Sequence, residues 1–229
     1  MKPKISVLTT VYNGERFLEE TIKNILNQSF KDFEYIIVDD GPTDKTKEII
    51  KSFEKKDARI KYIYYGKNKG YENLNHVVNL GLQNCKGKYI ARLDAGDLCH
   101  KDRLKIQYNY LEKHPRIFLI GSSADVIDKN GKKVDQLIKK PWPPIIIKFT
   151  IGFNNPFIHS SVFFRNEGQM YPSHIEHFFF INLVIAGKKL KNLGKKLVKY
   201  RINPGGLISK TENIEDNRYK EYYKDEKSA

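Results

Sequence analysis

Lys88-Tyr89-Ile90-Ala91-Arg92-Leu93-Asp94-Ala95-Gly96-Asp97 decides the fold class. It starts as a short β-prone apolar run and stops at two carboxylates separated by two small residues. A buried parallel strand has this form when it delivers acidic side chains to the carboxyl edge of a sheet, where open α/β sheets bind ligands. Carboxylate oxygens suit hard divalent cations, which are often shared with phosphate oxygens. Asp94 and Asp97 are therefore candidate holders of a metal–diphosphate. The competing reading is an acidic turn in which Asp97 caps the helix containing Arg103 and Leu104, a common task for aspartate.

Upstream of this stretch, strands and helices alternate. Ile5 to Val11 reads as a buried strand bounded by Pro3 and Asn13-Gly14, and Glu15 to Gln28 carries apolar residues at helical spacing. Phe33 to Val38 is a second strand ending at Asp39-Asp40-Gly41. A helix capped by Thr43 or Asp44 follows, with an apolar stripe through Ile49, Ile50 and Phe53. Ile60 to Tyr64 is a third strand and Tyr71 to Gln83 a third helix. This alternation specifies an α/β fold with a mainly parallel sheet flanked by helices.

Downstream the pattern changes. A helix is expected over Asp102 to Lys113, a strand over Ile117 to Ser122, and a hairpin across Asn130-Gly131. Ile145 to Phe153 reads as a short helical element, Ser161 to Arg165 as a strand, and Glu176 to Ala186 as a helix with an aromatic start. The last twenty residues read as a surface helix or tail.

The 229 residues suffice for one sizeable core. Two cysteines, Cys85 and Cys99, make neither a disulfide framework nor a zinc site, so a reduced, cytoplasmic compartment is expected. The first residues lack a charged-then-apolar leader, and no run is long enough to span a membrane. The net charge of +14 implies an anionic partner. Lys188 to Lys210 concentrates it, with no Asp or Glu in that span, and suggests peripheral docking on an anionic membrane surface. Stacking aromatics interleaved with basic residues are too sparse for a nucleic-acid partner.

Five motifs stand in order: Ser6-Val7-Leu8-Thr9-Thr10-Val11-Tyr12-Asn13-Gly14, Val38-Asp39-Asp40-Gly41, Ala91 to Asp97, Asn155-Pro156-Phe157-Ile158-His159-Ser160-Ser161, and Leu197-Val198-Lys199-Tyr200-Arg201. Together they resemble the family-2 inverting glycosyltransferases of the GT-A nucleotide-diphosphosugar fold. The resemblance implies one GT-A domain over residues 1–209, with a nucleotide-binding half (1–98), an acceptor-binding half (99–209) and a tail (210–229). It implies a nucleotide-sugar donor, most naturally a UDP-sugar, and a glycan or lipid-linked acceptor. Thr10 and Tyr12 would flank the base, Asp40 would accept a base N–H, Asp94 would meet the ribose or sugar, and Asp97 would coordinate Mg²⁺ or Mn²⁺. His159 and Arg201 would face the diphosphate.

Three departures from the family pattern bear on function. Gly96 stands where members usually carry an acid, Pro42 where they carry a serine, and His177 where an aspartate acts as base. Glu176 desolvated among phenylalanines, or His177 with its near-neutral pKa, could serve as base. The alternative is a protein that binds a sugar nucleotide with weak or no transfer.

Overall fold

The structure, a computed structural model, describes residues 2–140 and 143–202. Nine strands form one sheet: β1 (Ile5–Val11), β2 (Phe33–Asp39), β3 (Ile60–Tyr64), β4 (Tyr89–Arg92), β5 (Leu98–Cys99), β6 (Ile117–Ile127), β7 (Lys133–Ile138), β8 (Phe163–Arg165) and β9 (Lys189–Arg201). Six helices flank it: α1 (Leu18–Leu26), α2 (Thr46–Glu54), α3 (Leu74–Asn84), α4 (Arg103–Lys113), α5 (Pro144–Thr150) and α6 (Glu176–Ile185). The sheet order is β3-β2-β1-β4-β8-β6-β9-β5, with β7 paired to β6.

The first half is parallel throughout, β1 lying between β2 and β4. Nearly every residue of β1, β2 and β4 is buried, which is why these strands read as near-continuous apolar runs, whereas β3, at the sheet edge, is only partly covered. Successive residues alternate between two cores. Ile5, Val7, Tyr35 and Ile37 meet Leu18, Ile22, Ile50 and Leu104, from α1, α2 and α4. Leu8, Ile36 and Val38 meet Val77, Val78, Ile147, Phe179 and Phe180, from α3, α5 and α6. Full burial of each Leu, Ile or Phe contributes about 1.5–3 kcal/mol, so both layers hold the sheet.

The second half departs from that pattern. β8 runs antiparallel to β4 and β6, while β9 runs parallel to β6 and antiparallel to β5. The strand expected to end at Ser122 continues as β6 to Ile127, and the turn at Gly131 (φ 79°) leads into β7. The expected third helix begins as a 3₁₀ turn, Tyr71–Asn73, before α3. The expected lipid-docking segment is β9 as far as Arg201, with exposed Lys195 and Lys199, and with Lys196 paired to Asp125 at 3.2 Å. Residues 203–210 of that segment, and the expected tail, lie outside the described residues.

Candidate active site

β4 ends at Arg92, and a backbone bond from Asp97 N–H to Asp94 O (3.1 Å) folds Asp94 to Asp97 into a tight turn. Gly96 occupies this turn at φ 102°, the left-handed region that favours glycine over the acidic residue expected there. Its amide donates to Thr21 Oγ1 (3.0 Å), and Thr21 Oγ1 lies 3.1 Å from Asp97 O, so α1 clamps the turn from below.

Asp97 is 5% exposed. Its Oδ1 accepts the Arg201 backbone N–H at 2.8 Å, and its Oδ2 lies 2.5 Å from Ser160 Oγ. The same hydroxyl lies 3.0 Å from Asp94 Oδ2, so one hydrogen serves two carboxylates. Burial, then the charge of Asp94, push the Asp97 carboxyl up to about 7, against the Arg201 and Ser160 hydrogen bonds. Asp94 goes the other way. Burial opposes its charge, but His159, Arg92 and Ser160 outweigh burial and hold it well below the usual carboxylate range.

His159 opens a 3₁₀ turn, His159–Ser161, before β8. Its Nδ1 lies 3.1 Å from Asp94 Oδ1 and 2.9 Å from Glu176 Oε1, and its Nε2 lies 2.9 Å from the Tyr171 hydroxyl. Burial disfavours the imidazolium, yet Glu176, Tyr171 and Asp94 raise its pKa well above the ordinary value. Tyr171 is fixed in turn: its ring stacks on Phe179 at 4.2 Å and its backbone exchanges two hydrogen bonds with Asn79.

Glu176 and His177, adjacent in sequence, part company here. Glu176 joins the His159–Asp94 cluster. His177 is buried facing the other way, its pKa lowered by burial against hydrogen bonds to the backbone of Ile151 and Asn154 beside α5. Arg201 also lies at the cluster, as a clamp. Its Nε donates to Gly96 O (2.7 Å), its Nη2 to Glu20 (2.5 Å), and its Nη1 reaches the carbonyls of Asp128 and Lys129.

Two arginines that the sequence reading left without a role support this rim. Arg92, 1% exposed, reaches Leu8 O, Thr10 Oγ1 and Asp94 Oδ1 at 3.2–3.3 Å, linking the ends of β1 and β4. Arg103, fully buried, donates to Arg92 O (2.7 Å) and Gln107 Oε1 (2.9 Å). Buried arginines need several acceptors, and no local spacing announces partners so far along the chain.

The second acidic strand end lies on the same rim. Asp40, 6% exposed, follows β2, and its backbone N–H donates to Val11 O (2.9 Å). Asn68 donates to Asp40 Oδ2 (2.6 Å), whereas Asp40 Oδ1 has no protein partner. Burial raises this carboxyl's pKa. Gly41 follows at φ 72°, and a side chain there would run into Gly66 O. Tyr12, 48% exposed, stands beside Asp40 at the end of β1.

The model of glycosyl transferase family 2 matches residues 6–168. The chain belongs to this family. A glycosyltransferase of Haemophilus influenzae (strain Rd) is 31% identical over 231 residues, covering 94% of this chain and 70% of that protein. One of Methanocaldococcus jannaschii is 33% identical over 211 residues, covering 88% and 71%. Staphylococcus aureus TarS 1–349, solved with UDP-GlcNAc, superposes with TM-score 0.72 at 20% identity over 90% of this chain. Mannosyltransferase PcManGT of Pyrobaculum calidifontis, solved with GDP-Man and Mn²⁺, gives 0.67 at 15% over 91%. This family-2 chain therefore has the GT-A fold, and it spans 60% of each of those two solved chains. No helix among the described residues is long and apolar enough to cross a membrane.

The donor set suits a divalent cation. Two carboxylates share one hydroxyl hydrogen, and burial together with the charge of Asp94 raises the pKa of Asp97. Among the described residues no group of three or more acidic, histidine or cysteine side chains is arranged to hold a metal ion by itself, so most of the coordination would come from phosphate and water.

Proposed function

We propose that this chain moves a sugar from a UDP-sugar to a hydroxyl of a glycan or lipid-linked acceptor, in one inverting displacement. The observation that carries the reading is the meeting of Asp94, Asp97, His159 and Glu176 at the end of β4, with Asp40 two strands away on the same rim. Strand spacing puts Asp40 about 10 Å from Asp94 across β1, a gap that a nucleoside diphosphate bridges.

In this reading Asp40 Oδ1 accepts the uracil N–H, for which an acceptor-only carboxylate is suited. Tyr12 and Thr10 flank the base, and Asp94 meets the ribose or sugar. Asp97, with Asp94 beside it, would hold Mg²⁺ or Mn²⁺, which when bound stabilises charge on the departing diphosphate. The His159 imidazolium adds fixed positive charge at the same place. Arg201 acts through the turn it clamps rather than by reaching phosphate.

Glu176 takes the proton from the acceptor hydroxyl, since its carboxylate is on the cluster and His177 is not. A second reading, donor binding without efficient transfer, is favoured by the His159 contact that occupies Glu176 Oε1. Calorimetry with UDP in the presence and absence of Mn²⁺, followed by turnover of UDP-sugars, tests both. UDP binding that Mn²⁺ does not strengthen would remove the metal assignment. Equal turnover in wild type, Glu176→Gln and His177→Ala would remove the base.

A further inference from the structure

The α5–α6 layer carries a surface that donor chemistry does not use. Ile147 and Ile151, four residues apart, turn into the core. The opposite arc of the same segment is exposed: Ile145 (59%), Ile146 (43%), Phe149 (71%) and Phe153 (85%). The end of α6 adds Ile185 at 79%. Five of the nine large apolar side chains exposed among the described residues thus lie on these two neighbouring segments. Concentration of this kind marks an interaction face, whereas scattered apolar residues do not.

The two helices run antiparallel. The start of α6, at His177, meets the backbone of Ile151 and Asn154, while Ile145 and Val184 line one cleft at the other end. That cleft holds about 750 Å³. Ile147, Val184 and Leu190 contribute apolar lining, and Lys113, Arg116, Lys148, Lys188 and Lys189 bring positive charge. None of its lining residues is acidic, and Lys188 pairs with Glu167 at 2.6 Å.

We propose that this face docks on an anionic phospholipid bilayer, with Ile145, Phe149, Phe153 and Ile185 entering the interface and the cations of the cleft taking lipid phosphates. An apolar face bordered by lysine and arginine is the form that lies in a membrane interface and selects anionic lipid. A second copy fits poorly, because a two-fold interface would set the same five cations against one another. The surface shares Lys188 and Lys189 with the lysine-rich segment expected from sequence but leads away from the rest of it. It is set by exposed phenylalanines, and part of its charge comes from the α4–β6 connection. The ten residues of α6 span about 15 Å, so docking holds Glu176, at its first turn, close to the lipid surface.

Flotation of the full chain with phosphatidylcholine vesicles, with and without phosphatidylglycerol, at low and high salt, tests the proposal. The expected result is flotation only with phosphatidylglycerol, weakened by salt. Phe149→Asp with Phe153→Asp should reduce partitioning by about tenfold or more, and Lys148→Glu or Lys189→Glu by about fivefold each. Absence of flotation by wild type, or full flotation of the phenylalanine variant, overturns the proposal. So does a concentration-dependent dimer that Phe149→Asp dissociates without vesicle binding. Thermal melts check folding, and if the double aspartate variant unfolds, the exposed Lys148→Glu carries the test. UDP calorimetry on the same variants should match wild type, which keeps this result separate from the donor assignment.

Discussion

Two acidic strand ends stand on one rim, and they are built oppositely. At the end of β4, Asp94 and Asp97 are surrounded by protein partners drawn from α1, the His159–Ser161 turn and β9. At the end of β2, Asp39 and Asp40 each keep one buried oxygen without a protein partner. A buried acceptor left unpaired costs about 1–3 kcal/mol, so the β2 end is poised for a donor from outside. The β4 end is pre-organised, and its strain is charge rather than missing hydrogen bonds. In the proposed reading one end would meet a planar base edge and the other would keep two like charges close for a cation.

The largest effect should come from breaking the crowded end. Asp97→Ala is expected to lower UDP-sugar turnover by about 10²–10³-fold, the cost of losing fixed stabilisation of a leaving group, and to abolish any strengthening of UDP binding by Mn²⁺. Retained metal response in that variant would mean that Asp94 alone suffices. Next, Glu176→Gln should reduce turnover by about 10²-fold or more while UDP affinity measured by calorimetry stays near wild type. His177→Ala should stay within about tenfold of wild type in the same assay, because its ring faces α5. At the sparser end, Asp40→Ala should weaken UDP binding by about tenfold and leave the Mn²⁺ response intact. Equal loss of both would make the two ends one site rather than two.

The smallest effect is on stability. Burial pushes the Asp39 carboxyl up to about 6, against hydrogen bonds from Tyr62 and Gly41. The folded state therefore holds a proton between about pH 4 and 6 that the unfolded chain has released. Its contribution to stability is present below that window and falls as pH rises through it. Asp39→Asn should flatten this part of the melting profile between pH 4 and 7, measured by thermal denaturation, and an unchanged slope would assign the pH dependence elsewhere.

The two ends were legible in different ways. Asp39-Asp40-Gly41 was visible only as the end of its strand, and a role for Asp40 came from the family resemblance rather than from local chemistry. Asp94 and Asp97 were also visible, but Ser160, His159, Thr21 and Arg201 reach them across the fold, and nothing in their spacing says so. Glu176 and His177 both stood as candidate bases because sequence orders them side by side, while the helix start turns one to the cluster and the other to α5. β9 escaped notice as a strand for a related reason. Its buried positions, Leu190, Asn192, Leu193, Leu197, Val198 and Arg201, do not alternate, since register shifts against β6 break the period of two. In the parallel half, β1, β2 and β4 are buried on both faces and left a plain apolar signal.

Arg201 also bears on how the molecule is assembled. It closes a turn whose aspartate lies 104 positions earlier, from beyond the stretch matched by the family model, which stops at residue 168. A ribosome that has released β1 through β8 has thus delivered a sheet whose acidic loop still lacks its last brace. The final shape of that loop should consequently appear late in synthesis, when β9 emerges and zips along β6.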